Sequence, residues 1–172
     1  MKYDKEKDIL KDPIKNFHRA FGVYGICLED DKMVVIHKNG GPYIHLYDLP
    51  GGSLEEYESL SDAVKREFLE ETGLEIEIVK KLGVVDFMLS SDWRGSTQVH
   101  HICVYFLVKK VGGQLTIPNQ FEGQDSLGAL WVTEHEVSME NASPLVLQAF
   151  EWVKKGELHA DVELFEDWKV NR

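Results

Sequence analysis

The sequence predicts an α+β domain in which helices pack on the faces of a mixed β-sheet. At 172 residues the chain is most simply one domain, long enough to bury a substantial core. Many runs are rich in β-branched and aromatic residues, and only two stretches have helical character. Many strands combined with two helices are typical of the α+β class.

The strand predictions follow the chain in order. FGVYGICL (21–28) and MVVIHK (33–38) are separated by the turn EDDK, which predicts a β-hairpin. IHLYDL (44–49) predicts a short strand that runs into Pro50-Gly51-Gly52. Three further strands are predicted at EIEIVKKLGVVDFML (75–89, kinked near Gly83), QVHHICVYFLVKKV (98–111) and LGALWVT (127–133).

Two helices are predicted from their end signals. The first begins at about Ser59, an N-cap with Asp62 three residues later, and ends before Gly73. The second is PLVLQAFEWVKK, which Pro144 opens and Gly156 stops.

The first predicted helix concentrates carboxylates where they are unfavourable. Its apolar stripe consists of Leu60, Val64 and Phe68. Glu67 and Glu71 project to nearly the same side as that stripe, at the end of the helix where the dipole disfavours anions. This spacing supplies the oxygen ligands that a hard cation such as Mg²⁺ prefers. A solvated acidic face is the alternative.

The overall charge limits the partners. With 19 Lys and Arg against 30 Asp and Glu, the formal net charge is −11. This argues against nucleic acid and anionic membrane surfaces as partners. A polyanionic small molecule would need a divalent cation to bring positive charge to the site.

The cysteines and the N-terminus indicate the compartment. Two cysteines, Cys27 and Cys103, lie in apolar runs, which predicts buried thiols in a reducing cytoplasm rather than a disulfide framework. The N-terminal MKYDKEKDILKDPIKN is charged throughout and has no apolar signal-peptide core. No stretch approaches the roughly 18 apolar residues of a membrane span. We therefore expect a cytoplasmic protein without a membrane partner.

A family resemblance appears in residues 52–74. Gly52, five residues, Glu58, seven residues, and then REFLEETGL (66–74) match every fixed position of the Nudix box. The chain therefore resembles the Nudix hydrolases, with the MutT-like branch most similar. The resemblance implies a Nudix-type α/β/α sandwich, with the box helix packed on the sheet. We expect a single domain 1–172, with a core of about 18–155, a polar N-terminal arm (1–16) and an acidic C-terminal tail (157–172).

The resemblance also implies a metal-dependent hydrolase with Mg²⁺ or Mn²⁺ as its cofactor. The implied metal ligands are the carbonyl of Gly51 and the carboxylates of Glu67, Glu70 and Glu71. Glu67 and Glu70 are also the catalytic candidates. Arg66 is expected to pair with Glu58 or a box carboxylate and so to orient the ligands.

A loop downstream supplies another metal-ligand candidate. Glu122-Gly123-Gln124 lies nine residues before Trp131, which is similar to the MutT-like loop whose glutamate joins the metal cluster. A solvated loop carboxylate is the alternative for Glu122, and Asp125 is the second candidate.

The substrate-binding candidates are Arg19, Lys38 and Asn141. Arg19 and Lys38 could reach phosphates, or they are ordinary cations at strand ends. Asn141 resembles the MutT-like asparagine that reads a purine, but a residue at this position also caps a helix. Trp93 could stack on a base.

Adjacent His100 and His101 point to opposite faces of a strand, so only one of them can face the site. The alternative for either is a histidine that is hydrogen-bonded in or near the core.

The predicted reaction is hydrolysis of a pyrophosphate linkage in a nucleoside diphosphate derivative, a small-molecule nucleotide. The chain lacks the SQPWPFP stretch of the NADH-cleaving branch and the downstream proline or tyrosine of the ADP-ribose and diadenosine polyphosphate branches. The absence of these features favours a nucleoside triphosphate as the substrate. The alternatives are a non-catalytic nucleotide-binding module and an isopentenyl diphosphate isomerase-type enzyme. A homodimer is left open.

Overall fold

The computed structural model describes residues 16–90 and 98–170. Trp93 and the N-terminal arm up to residue 15 lie outside these ranges. The strands are β1 (Phe17–Glu29), β2 (Lys32–Lys38), β3 (Tyr47–Asp48), β4 (Gly51–Gly52), β5 (Leu74–Ser90), β6 (Gln98–Gly113), β7 (Ser126–Thr133) and β8 (Glu163–Phe165). The α-helices are α1 (Leu60–Thr72) and α2 (Pro144–Lys155), and short 3₁₀ turns occur at Gly41–Tyr43 and Glu134–Glu136.

The strands form one mixed sheet, which confirms the predicted α+β class. Its order is β3-β2-β1-β6-β5-β8, with β4 paired to β1 and β7 paired to β2. The β1–β6 and β5–β8 pairs are parallel, and the other pairs are antiparallel. β1 therefore lies inside the sheet, between β2 and β6.

Two apolar clusters cover the two faces of the sheet. Val23 and Cys27 of β1 pack in the cluster that contains the apolar side of α1. Tyr24 and Ile26 of the same strand pack in the larger cluster, which contains the apolar side of α2. Because successive residues of a strand point to opposite faces, this alternation places the two helices on opposite sides of the sheet.

Both predicted helices are confirmed, together with their caps. The Ser59 hydroxyl accepts a hydrogen bond from the Asp62 N–H at 3.1 Å, and Gly73 ends α1 with a φ of +80°. Ser143 caps α2, and Gly156 ends it with a φ of +76°. The kink near Gly83 is also confirmed, because the β5–β6 register shifts between residues 81 and 83.

The predicted strand 44–49 is wrong for its first half. Only Tyr47 and Asp48 are extended, and residues 41–46 form a tight turn. His45 has a φ of +67°, and its N–H donates to the Lys38 carbonyl at 2.9 Å. This turn brings residues 41–43 back towards the end of β2.

No helix within 16–90 and 98–170 is long and apolar enough to cross a membrane.

Candidate active site

The second half of α1 carries three glutamates at different depths. Glu71 is 2% exposed, whereas the side chains of Glu67 and Glu70 are 16% and 45% exposed. The depth of Glu67 and Glu71 follows from the helix itself, since Val64 and Phe68 of the same face are buried against the sheet. Packing of the apolar stripe therefore draws two carboxylates inward.

Glu71 is incompletely hydrogen-bonded. Its Oε2 accepts the Gly51 N–H at 2.9 Å, while its buried Oε1 has no hydrogen-bond partner among the described residues. Burial raises the pKa of this carboxyl well above its usual range, and the nearby charge of Lys38 opposes that shift. A buried carboxylate oxygen without a donor fits a divalent cation that prefers oxygen ligands.

Arg66 joins the other carboxylates of the helix. Its guanidinium donates to both oxygens of Glu58, at 2.7 and 2.8 Å, and to Glu67 and Glu70 at 2.9 and 3.2 Å. It also donates to the Ser53 carbonyl at 3.1 Å. The hydrogen bonds from Arg66 lower the pKa of Glu58 to about 2. Arg66 therefore fixes the helix carboxylates and the preceding loop together.

Glu67 is held on one side only. Arg66 contacts its Oε1, and no hydrogen bond engages its Oε2 among residues 16–90 and 98–170. Burial raises the pKa of Glu67 although Arg66 lowers it. A raised pKa makes the carboxylate a stronger base once it is ionised.

Two glycines let the chain pass directly beside these carboxylates. A Cβ at Gly52 would lie 2.9 Å from the carboxyl carbon of Glu67. A Cβ at Gly51 would lie 2.0 Å from the Val23 carbonyl oxygen, and its φ is +150°. Gly51 therefore requires glycine, because a side chain there would collide with the backbone of β1, whereas a side chain at Gly52 would displace the Glu67 carboxylate.

A buried cation faces the same carboxylates from β2. Lys38 is 8% exposed, and its Nζ lies 2.6 Å from the Asp125 Oδ2. Burial by itself lowers the pKa of Lys38, but the charges of Glu71, Asp48 and Asp125 outweigh burial and raise it. Lys38 therefore stays protonated and partly balances this acidic group.

Asp48 is a further buried acid in this region. Its Oδ1 accepts the Ser143 hydroxyl at 2.6 Å and the Leu49 N–H at 2.9 Å. Burial raises its pKa from 3.8 to about 6, although Lys38 and these two hydrogen bonds act in the opposite direction.

A tyrosine–histidine–tyrosine group lies beside Asp48. The hydroxyls of Tyr24 and Tyr43 lie 2.8 and 3.0 Å from the two ring nitrogens of His101. Burial lowers the pKa of His101 to about 3, so the imidazole is neutral. A neutral imidazole has one donor and one acceptor nitrogen, so one hydroxyl donates to it and the other accepts from it.

These groups surround two adjoining cavities. The first, of about 260 Å³, is lined by the aromatic residues Phe21, Tyr24, Tyr43 and His101 and by the charged residues Lys38, Asp48, Glu67 and Asp125. The second, of about 240 Å³, is lined by Arg66, by the three glutamates, and by Phe121, Gly123, Gln124 and Asp125 of the loop before β7. Glu67 and Asp125 line both cavities. A ligand with an aromatic part and a polyanionic part could therefore span the two.

Comparison with known proteins identifies the family. The family model of the NUDIX domain matches residues 16–156. This chain belongs to the NUDIX family. It is 36% identical over 118 residues to an ADP-ribose pyrophosphatase of Methanocaldococcus jannaschii, and 36% identical over 63 residues to a putative 8-oxo-dGTP diphosphatase of Bacillus subtilis. The matches cover 66% and 37% of this chain, and the chain spans only 66% and 41% of these relatives.

The fold agrees with solved members of the NUDIX family. A NUDIX hydrolase from Nitrosomonas europaea is similar with a TM-score of 0.64 and 22% identity. The match covers 82% of this chain and 92% of the other. Likeness at this level of identity supports the Nudix-type sandwich that the box implied.

The structure brings most of the residues chosen from the NUDIX box together. Glu58, Arg66, Glu67 and Glu70 form one hydrogen-bonded group, and Gly51 contacts Glu71. Lys38, chosen as a phosphate-binding candidate, lines the first cavity. Their roles in binding or chemistry stay predictions.

Three other candidates do not line the cavities. Glu122 is exposed, whereas Asp125, three residues later, lines both cavities. Arg19 is exposed and stacks over the Phe17 ring at 5.3 Å. The Asn141 amide closes the turn before α2, accepting from the Ser138 N–H and donating to the Glu136 carbonyl, both at 2.8 Å.

Sequence reasoning missed Asp48 and the two tyrosines of the first cavity. Asp48 did carry a signal, because a charged residue inside the apolar run IHLYDL is unusual unless it is paired. Tyr24 and Tyr43 carried no such signal, because a tyrosine in an apolar run is typical of an ordinary core residue. The expectation that a histidine of the 100–101 pair is hydrogen-bonded in the core is confirmed for His101.

Proposed function

We propose that this protein is a divalent-cation-dependent pyrophosphohydrolase that cleaves a nucleoside diphosphate derivative. The observation that carries the proposal is the carboxylate edge of α1, which lies between two cavities and includes an unpartnered buried oxygen on Glu71. The printed activities of the two curated relatives, one an ADP-ribose pyrophosphatase and one a putative 8-oxo-dGTP diphosphatase, support the same class of linkage.

Mg²⁺ or Mn²⁺ would be held by oxygen donors of this edge. The proposed ligands are the Gly51 carbonyl and the carboxylates of Glu67, Glu70 and Glu71, with a loop carboxylate as a further donor. Asp125 is better placed for that last role than Glu122, because it lines both cavities. When bound, the cation neutralises phosphate oxygens and makes a bound water more acidic.

The chain's own residues then have separate tasks. Glu67 accepts the proton of the attacking water on Oε2, while Arg66 holds its Oε1 in place. Glu70 assists at the exposed edge, where its Oε2 is held by the same guanidinium. Lys38, which lines the first cavity, presents its ammonium group to the phosphates.

The aromatic lining of the first cavity suits the nucleoside. Phe21 is 43% exposed and offers ring surface for a base, while Lys38 and Glu67 line the same cavity. With the base against Phe21, the phosphates would lie towards Lys38 and the Glu67 carboxylate of α1. The net charge of −11 is consistent with a small nucleotide rather than nucleic acid as substrate.

Two substrate types fit this site, and the first is a nucleoside triphosphate. It is favoured because this chain lacks the sequence features of the NADH-cleaving, ADP-ribose and diadenosine polyphosphate branches. The second is ADP-ribose, because the ADP-ribose pyrophosphatase is matched over 118 residues and the second cavity offers room for a sugar phosphate. We further propose a reducing compartment such as the cytoplasm, in view of the two buried free cysteines, Cys27 and Cys103.

Product analysis on a nucleotide panel tests the proposal. With Mg²⁺ present, we expect a nucleoside triphosphate to give a monophosphate and pyrophosphate, whereas ADP-ribose would give AMP and ribose 5-phosphate. EDTA should abolish either reaction, because the site's donors are all oxygens that serve a divalent cation.

Paired variants make the panel specific to this site. Glu67→Gln should lower kcat by a few orders of magnitude, since it removes the proposed base. The matched control is Glu56→Gln, an exposed glutamate of the preceding loop, which should retain the parent rate. Full turnover in metal-free buffer contradicts the mechanism. Tight nucleotide binding without turnover would instead identify a non-catalytic binding module.

A further inference from the structure

The segment after α2 lies outside the family match yet packs against the domain. The match ends at residue 156, whereas the structure continues to residue 170. Within this segment β8 pairs in parallel with β5, and Phe87, Met88 and Leu89 face Glu163, Leu164 and Phe165 in register. The C-terminal segment (157–170) therefore contributes an edge strand, β8, to the sheet.

Polar contacts fasten the start of the C-terminal segment to α2. The two ring nitrogens of His159 lie 2.7 Å from a Glu151 oxygen and 3.2 Å from a Glu163 oxygen. The Gln148 amide donates to the same Glu163 oxygen at 3.3 Å. These contacts fix where the chain enters β8.

An aromatic series then leads from β5 to the first cavity. Phe165 lies with its ring centre 6.3 Å from Phe87 and 5.8 Å from Trp168. Trp168 meets Tyr43 edge to face, with the ring centres 5.7 Å apart. Its indole N–H also donates to the Pro42 carbonyl at 2.9 Å. Trp168 thus contacts two residues of the turn 41–43.

The turn 41–43 is a wall of the first cavity, and Trp168 supplies part of its support. Gly41, Pro42 and Tyr43 all line that cavity. The 3₁₀ turn is three residues long, and no side chain caps its N-terminus. Tyr43 in turn holds one nitrogen of His101, whose other nitrogen holds Tyr24. A displacement of the turn would therefore disturb Tyr43, His101 and Tyr24 in the lining of the cavity.

We propose that Trp168 is a positioning residue for the nucleoside end of the substrate cavity. It acts through Pro42 and Tyr43, and the C-terminal segment thereby sets the affinity for the base-bearing part of the substrate. The inference rests on the proposed function for its kinetic part. Its structural part, that Trp168 holds the turn 41–43, stands independently.

The structural part is tested by hydrogen exchange. In the turn, the Ile44 N–H donates to the Gly41 carbonyl at 3.3 Å, and the Leu46 N–H donates to the Tyr43 carbonyl at 3.0 Å. We expect Trp168→Ala to lose at least about tenfold protection at these amides, because their support from the indole is gone. The control is Trp152→Ala, which removes a partly buried tryptophan from the same core at α2 and should leave these amides at the parent level. Unchanged protection in Trp168→Ala overturns the inference.

The kinetic part is tested by separating KM from kcat on the best substrate of the panel. We expect Trp168→Ala to raise KM about tenfold and to change kcat less than twofold, since the catalytic edge of α1 is not touched. Trp168→Phe keeps a ring against Tyr43 but loses the N–H to Pro42, so its KM should lie between those of the parent and the alanine variant. Trp152→Ala should keep the parent KM even if its Tm falls.

The outcomes separate the two proposals. Faster exchange at the turn with no turnover of any nucleotide by the parent sinks the proposed function and leaves the structural role of Trp168 standing. An active parent whose Trp168 variants keep KM shows that the segment only stabilises the fold, and this overturns the inference. If Trp168→Ala does not fold, the same comparisons are made with Trp168→Phe.

Discussion

Asp48 is a buried acid whose surroundings favour its neutral form. Its strong cationic neighbour among the described residues, Lys38, is shared with Glu71 and Asp125. Burial therefore prevails over attraction, and the pKa of Asp48 rises from 3.8 to about 6. The residue costs stability when it is ionised, which is a common property of groups kept at functional sites.

This property predicts a pH-dependent effect of Asp48→Asn. The folded protein binds a proton at Asp48 more tightly than the unfolded chain does, so the free energy of unfolding falls as the pH rises through about 4 to 6. The asparagine cannot ionise but can still accept from Ser143 and Leu49. The free energy of unfolding of Asp48→Asn, taken relative to that of the parent, should therefore rise by about 2–3 kcal/mol between pH 4 and pH 7.

Denaturant unfolding at the two pH values measures this difference. Asp31→Asn, at an exposed turn, is the control and should follow the parent at both pH values. A constant difference between Asp48→Asn and the parent across this range would contradict the raised pKa of Asp48 in the folded protein.

At the scale of elements, α1 and the loop before it behave as one unit because Arg66 connects them. The guanidinium contacts Glu58 and Ser53 of the loop as well as two glutamates of the helix. Glu58 and Arg66 have side chains only 12% and 21% exposed, so water competes weakly for this pair. The orientation of the carboxylate edge of α1 therefore depends on the loop.

Arg66→Ala should lower both stability and kcat. The variant removes the guanidinium from Glu58 and Glu67 and leaves Glu58 with the Glu55 N–H at 2.9 Å. For this we expect a loss of about 1–3 kcal/mol in the free energy of unfolding. Lys65→Ala, the exposed neighbouring cation, should change neither quantity appreciably. Thermal unfolding and steady-state kinetics of both variants provide the test. An unchanged Tm with only a raised KM would assign Arg66 to substrate binding instead.

The elements that were predicted correctly are those with local signals. Both α-helices have their caps and their apolar stripes within one short stretch of sequence, Ser59 to Gly73 and Ser143 to Gly156, so the sequence alone placed them. The turn at His45 was missed because its positive φ depends on a hydrogen bond to Lys38, seven residues earlier. β8 was missed because a three-residue strand has no detectable period and forms only against β5.

The choice between Glu122 and Asp125 likewise depended on tertiary contacts. Gln124 accepts from the Ser126 N–H at 2.9 Å and donates to the Glu70 carbonyl at 3.5 Å. The Ser126 hydroxyl donates to the Glu71 carbonyl at 3.2 Å. These bonds fix the loop so that Asp125 meets Lys38, while Glu122 stays exposed. Spacing in the sequence carries no information about them.

At the scale of the whole molecule, the acidic charge and the buried carboxylates have one explanation. A chain with a net charge of −11 attracts divalent cations and repels free nucleotides. The cation that fits the edge of α1 would bring the positive charge that a polyphosphate requires. The central claim is therefore that the buried carboxylates of α1 are retained for a cation and not for folding.

The shift in Tm caused by Mg²⁺, measured on the parent and on Glu71→Gln, tests this claim most directly. Without metal, the Tm of the variant should equal or exceed that of the parent. Relieved repulsion among buried carboxylates would add about 0.5–1 kcal/mol to its free energy of unfolding. At a Mg²⁺ concentration about 100-fold above Kd, the parent should gain about 5–10 °C and the variant much less, which reverses their order. Glu56→Gln should follow the parent throughout. A Glu71→Gln protein that melts well below the parent without metal, or that gains as much from Mg²⁺, would contradict the account.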